Sequence, residues 1–328
     1  MSWIGPPATR PPLWILAIVT LSGVANAPPG AAALPACVDG PGACTLREAA
    51  AAAGIHLGFA LDRSVISGAR PGAALAAREA SSVTAENAMK WRELSPSPGC
   101  YDFDDADALV EFAEANGQRI RGHTLVWGRA NGPPPWWSDD LASAPDPAER
   151  ARERIDSHVA TVVGRWAGRI ESWDVVNEPF ATVGGALDAE SPFHQALGSS
   201  YIDHALRAAR TADPATRLFV NEVLLERDDA KFDATLALAT SLLAAGAPLD
   251  GIGFQGHFLT RPAFDDLRTR LQRVADLGLD VELTEVDLPI ALFSAEPDPF
   301  AAQGDAYAEI VRACLAVSRC TGITLWGY

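Results

Sequence analysis

The chain has 328 residues, of which 48% are hydrophobic, and a formal net charge of −16. That apolar content supplies a sizeable core and excludes a long disordered tract; the acidic balance argues against nucleic acid and anionic membrane surfaces as partners. The length suits one large barrel or two medium domains.

The first residues have the features of an export signal. Arg10 precedes an apolar run over residues 13–24, and Ala25-Asn26-Ala27 offers a small-residue cleavage site. A run of that length falls short of the roughly 20 residues a bilayer span needs. Residues 1–27 are therefore expected to be a signal peptide, giving a secreted protein (extracellular or periplasmic) that starts near Pro28. A Pro/Ala/Gly-rich segment follows over 28–43, and one folded domain is expected over 44–328. Export permits disulfides. Cys314 and Cys320 are spaced to close a short loop, and Cys37 with Cys44 another. Cys100 is then left over, so pairing among Cys37, Cys44 and Cys100 stays open.

Past residue 55, short apolar runs alternate with longer amphipathic stretches. Candidate strands lie at 55–61, 82–87, 120–127, 171–178, 217–222, 251–257, 280–287 and 322–328. Helical patterns between them include 104–117, 147–167, 200–212, 229–245 and 263–277. This alternation predicts an α/β fold, a (β/α)8 TIM barrel. One motif favours the rival doubly wound sheet: residues 251–256, Gly-Ile-Gly-Phe-Gln-Gly, match the dinucleotide pattern G-x-G-x-x-G. In that pattern the glycines open a helix whose N-terminus meets a pyrophosphate. Here they lie inside a strand run, and they read as a place where backbones approach closely.

A barrel carries its chemistry at the C-terminal ends of its strands. In order, those ends hold Glu86 and Asn87 with Lys90 and Trp91 beyond; His123 and Trp127; Asn177 and Glu178; Asn221 and Glu222; Gln255 and His257; Glu285 and Asp287; and Trp326. Lys90 is one of only two lysines among 26 basic residues, which points to a need for a compact ammonium group. Taken singly, each residue has a blander reading: a satisfied core histidine, a barrel-filling tryptophan, a solvated lysine. Their convergence on one face favours a site. Amides, carboxylates, an ammonium group and flat indoles suit a sugar polymer, whose hydroxyls need paired donors and acceptors and whose ring faces stack on aromatics.

Two carboxyl groups stand out. In Ser172-Trp173-Asp174-Val175-Val176-Asn177-Glu178-Pro179, an apolar run breaks into an amide, an acid and a proline. Pro179 ends the ladder and biases Glu178 towards extended backbone. A carboxyl group at the rim of a core is expected to have a raised pKa; the alternative is a strand-end Glu that salt-bridges to a neighbouring helix. Glu285 ends the seventh strand, and Asp287 with His257 is expected to form a hydrogen-bonded pair that sets its charge. Two carboxyls across a sugar-sized gap break a glycosidic bond: one protonates the leaving oxygen while the other attacks the anomeric carbon or activates water.

The segments VTAENAMKW, RGHTLVW, WDVVNEP, GIGFQGH, ELTEVD and ITLWG, in that order, resemble the successive motifs of family 10 glycoside hydrolases, the endo-β-1,4-xylanases. The resemblance runs from about Thr45 to the last residue. It implies a (β/α)8 catalytic domain, xylan and xylo-oligosaccharides as partners, and retention of configuration. Glu178 would be the acid/base and Glu285 the nucleophile. Glu86, Asn87, Lys90, His123 and Trp127 would hold sugars on the non-reducing side of the cut. Asn177 would bind the 2-hydroxyl of the reacting sugar, with Gln255, His257 and Trp326 lining the same subsite. It also supports a Cys314–Cys320 disulfide. A related barrel acting on cellulose or mannan, and a non-catalytic xylan-binding barrel, are the alternatives. No metal or other cofactor is expected, since no His/Cys cluster has metal-ligand spacing, and a monomer is expected.

Two positions depart from the family pattern. Gly128 stands where His is usual, and Asn221-Glu222-Val223-Leu224 where Asn-Asp-Tyr-Asn is common. The chain also stops at Tyr328, directly after the eighth strand, so a barrel lacking the final loop and helix is expected. The outer faces of its first and last strands would then want for cover.

Overall fold

The computed structural model describes residues 44–261 and 263–327. The proposed signal peptide, the segment over 28–43 and Cys37 lie outside them. Eight parallel strands form a closed barrel in sequence order. They are β1 (His56–Leu61), β2 (Ser82–Ala85), β3 (Arg119–Trp127), β4 (Ser172–Asn177), β5 (Arg217–Glu222), β6 (Gly251–Phe254), β7 (Asp280–Val286) and β8 (Cys320–Leu325). Closure runs through β1 and β8, with His56 opposite Gly322 and Phe59 opposite Leu325. Helices follow the strands, among them Asp104–Ala115, Pro147–Arg165, Ser200–Ala212, Asp229–Ala244, Phe264–Ala275 and Pro299–Leu315.

Local chemistry explains where these elements start and stop. Asp146 and Asp298 cap the Pro147–Arg165 and Pro299–Leu315 helices, each with proline in the first turn. Thr45 and Glu48 make a capping box on the Leu46–Ala52 helix, whose Leu46 and Ala50 are buried. That helix lies against β1 and the Pro299–Leu315 helix against β8. Leu57, Phe59 and Ile323 are all buried, so these outer strand faces are better covered than the sequence suggested. Cys314 and Cys320 are disulfide-bonded with Cα atoms 5.3 Å apart, tying that helix to β8. Cys44 is disulfide-bonded as well, while Cys100 is a free, exposed thiol.

The first two glycines of the G-x-G-x-x-G stretch lie in barrel strand β6. A side chain at Gly253 would occupy the space of Asn221 Oδ1 on the neighbouring strand, and one at Gly251 that of the Phe219 ring. The lower barrel interior is charged rather than apolar. Arg121 on β3 binds Asp174 on β4 at 2.8 Å and Glu282 on β7 at 2.6 Å, all three buried. Burial alone would raise the Glu282 pKa; Arg121 and His56 reverse that and bring it down to about 2. Asp174 also meets His123 Nδ1 at 2.9 Å, so this charged floor orients a residue of the cleft above.

Candidate active site

Glu178 and Glu285 stand at the ends of β4 and β7 and are joined by a chain of amides. Gln255 Nε2 donates to Glu178 Oε1 at 3.0 Å and faces Asn177 Oδ1 at 3.3 Å. Asn221 Nδ2 donates to Asn177 Oδ1 and to Glu285 Oε1, both at 2.8 Å. Asn221 Oδ1 in turn accepts from Thr284 at 2.6 Å. Every amide here is buried, so its orientation is dictated by its partners. Asn221 and Thr284 were not among the site residues expected from sequence; Asn221 appeared only as a strand end.

Around Glu285 the expected cluster assembles. His257 Nε2 lies 3.1 Å from Glu285 Oε2 and Nδ1 lies 2.8 Å from Asp287. Burial opposes the His257 charge, but hydrogen bonds to Asp287 and Glu285 win and raise its pKa to about 10. The ring is therefore a cation at neutral pH, donating from both nitrogens. His123 Nδ1 approaches Glu285 Oε1 to 3.9 Å. Trp326 sits edge-on to both imidazoles, with centroids 5.5 Å from His123 and 6.2 Å from His257.

The β2 end forms the adjoining wall. Lys90 Nζ donates to Asn87 Oδ1 at 2.9 Å and lies 5.1 Å from the Trp127 ring centre. Burial lowers the Lys90 pKa against the pull of Glu285, Glu86 and Glu178. Glu86 is pushed upward, first by burial and then by Asp62. Trp91, just beyond, turns into the core and stacks on His158 at 3.9 Å.

Glu178 departs from expectation twice. Its φ is +51°, left-handed rather than extended, which costs a non-glycine residue about 1–2 kcal/mol. The preference imposed by Pro179 is overridden by three anchors. The Glu178 N–H donates to Asn221 O at 2.8 Å, the Gly128 N–H to Asn177 O at 2.7 Å, and the Phe180 N–H to Glu222 Oε2 at 3.1 Å. Second, burial would raise its pKa, but Arg129 Nε at 2.5 Å and the Gln255 amide prevail and hold the group below the ordinary carboxylate range. Glu178 is thus salt-bridged, as in the alternative, but to the loop after β3 and not to a neighbouring helix.

The two departures from the family pattern converge on this edge. Gly128 packs against the Glu178 carbonyl and Pro179, where any Cβ would clash, and the next residue, Arg129, contacts Glu178. Glu222 is fully buried with Lys231, Nζ to Oε1 at 3.1 Å. Burial pushes Glu222 up to about 7 against Lys231 and two backbone N–H groups. Rarity of lysine was the one sequence signal for Lys231; nothing local marked Arg129.

The family model "Glycosyl hydrolase family 10" matches residues 45–328. The chain is 37% identical over 246 residues to endo-1,4-beta-xylanase A of Phanerodontia chrysosporium, covering 75% of this chain and 58% of that protein. It is 37% identical over 275 residues to endo-1,4-beta-xylanase 3 of Hypocrea jecorina, covering 83% and 73%. Xylanase 10B of Thermotoga petrophila RKU-1, solved with xylobiose, superposes with a TM-score of 0.78 at 33% identity, covering 87% and 85%. With its closed barrel, its strand-end carboxyl pair and a family match over nearly all of its described length, the chain belongs to glycosyl hydrolase family 10.

Proposed function

We propose that this protein is an endo-1,4-β-xylanase that cuts internal bonds of xylan with retention of configuration. The observation that carries this reading is the unequal setting of two carboxyl groups on one amide chain. Glu285, held by Asn221 and the His257 cation, is fixed in position to attack the anomeric carbon. Glu178, at the rim, donates a proton to the leaving oxygen. The C–O bond to the leaving sugar breaks as the Glu285–sugar bond forms. In the second step Glu178 takes a proton from water, and the water oxygen displaces Glu285.

Asn177, fixed by Asn221 and Gln255, is assigned to the 2-hydroxyl of the reacting sugar. Glu86, Asn87, Lys90, His123 and Trp127 are assigned to sugars on the non-reducing side, and Gln255, His257 and Trp326 to the reacting subsite. Export through the N-terminal signal is part of the reading, and a disulfide between Cys314 and Cys320 suits an oxidising compartment. The test is reducing-sugar release from xylan and from carboxymethyl-cellulose. Release from xylan well above that from cellulose supports the reading, and the reverse order overturns the substrate.

A further inference from the structure

Glu178 is clamped by a residue that belongs to none of the motifs. Arg129 Nε meets Glu178 Oε2 at 2.5 Å, while its Nη1 reaches Asp188 Oδ2 and Thr182 Oγ1, each at 3.4 Å. Asp188 is fixed by its own N–H to Pro179 O at 3.0 Å, so both carboxylates and the guanidinium are anchored to one loop. The preceding Gly128 packs on the Glu178 carbonyl, where a Cβ would clash. We propose that Arg129 is a positioning residue that keeps Glu178 ionised in the free enzyme and thereby confines the proton-donating step on xylan to acidic pH. This inference rests on the reading of Glu178 as acid/base.

The other groups around Glu178 do not duplicate that clamp. Lys90 acts from the β2 side at longer range. From β5 comes Glu222, itself paired with Lys231, and its charge opposes ionisation. β6 supplies the neutral Gln255 amide. Across the cleft, Glu285 is matched by the His257 cation. Arg129 is thus the one cation in direct contact with Glu178 among the described residues, and its charge leads the influences that oppose burial there.

The two chemical steps ask opposite things of Glu178. Forming the glycosyl-enzyme from a sugar leaving group needs it protonated, whereas hydrolysing that intermediate needs it ionised. A depressed pKa moves the alkaline limb of kcat/KM on xylan downward, because the protonated fraction vanishes at lower pH. An activated nitrophenyl xylobioside needs no proton and does not follow that limb.

The experiment compares pH profiles of kcat/KM for wild type, R129Q and R129K on both substrates. R129Q should raise the xylan limb by about 1–3 pH units, with about tenfold or more gain in relative rate on xylan above the wild-type limb. It should leave the nitrophenyl profile in place, and R129K, which keeps the charge, should stay near wild type. An unmoved xylan limb in R129Q, or equal movement on both substrates, would overturn the inference. Carbon-13 carboxyl titration of wild type tests it without any variant: Glu178 titrating above the ordinary glutamate value of about 4.3 would refute it. Glu178→Ala separates the two levels, since equal loss on both substrates removes the acid/base reading itself. A loss confined to xylan, with an unmoved R129Q limb, removes only the role of Arg129.

Discussion

The two edges of the cleft solve one problem in different ways. Around Glu285, Asn221 of β5 and His257 just beyond β6 bond the carboxylate directly, and His123 of β3 stands 3.9 Å away. Around Glu178, charge arrives from loops and from beneath: Arg129 with Asp188 on one side, Glu222 with Lys231 on the other. A nucleophile must stay ionised and keep one geometry, which rigid strand ends supply. An acid/base must change charge twice per turnover, and it sits where opposing charges set how readily it does so. In the proposed reading, the same side chain takes two roles because of what surrounds it.

Removing each carboxyl group tests that division most directly. Glu285→Gln should eliminate xylan hydrolysis, a loss on the order of 10⁴–10⁶-fold in kcat, because no group remains to form the covalent intermediate. Residual activity within tenfold of wild type would mean that the two edges are not chemically distinct. Glu178→Ala should cost about 10²–10⁴-fold on xylan and far less in the first step with a nitrophenyl xylobioside. Added azide should restore turnover of the activated substrate by attacking the glycosyl-enzyme without base assistance, read as accumulation of a glycosyl azide.

Lys231→Met probes the buried charge beneath Glu178. It strands the Glu222 carboxyl in the core, so the melting temperature should fall by roughly 5–15 °C, the equivalent of about 3–5 kcal/mol. The double variant Lys231→Met with Glu222→Gln should recover much of that loss. If the single variant melts with wild type, Glu222 is neutral in the fold and the pair carries no charge to Glu178.

The smallest effect belongs to the Glu285 edge. The His257 pKa is raised from about 6.5 to about 10 by folding, so its contribution to stability is fully present below about pH 6.5. That contribution fades as pH rises towards 10. The melting-temperature advantage of wild type over His257→Asn should therefore shrink between those limits, and a constant advantage would show that the imidazole is not charged.

Much of this was legible along the chain. The β5 stretch Arg217–Glu222 coincides with its sequence expectation, and β3 differs by one residue, because β-branched and aromatic runs bounded by turn residues specify strands locally. Strand ends are equally visible. Asn177-Glu178-Pro179 and the acids of β7 interrupt apolar runs, and the barrel's polarity then tells which face they share. Less legible were exact lengths: β6 runs only to Phe254, Gly256 takes φ +76°, and His257 keeps an isolated bridge to Asp287. Likewise Trp326 lies past the end of β8.

The sequence by itself determined the barrel, the carboxyl pair and the polar strand ends, since these follow from short-range periodicity, turn chemistry and the direction of parallel strands. Only the tertiary structure decided how those groups are charged. Arg129 and Glu178 are 49 positions apart, and Arg121 meets Asp174 and Glu282 from three different strands. A pKa depends on burial and on charges within a few ångströms, and no local pattern records which distant residues closure of the barrel will bring there.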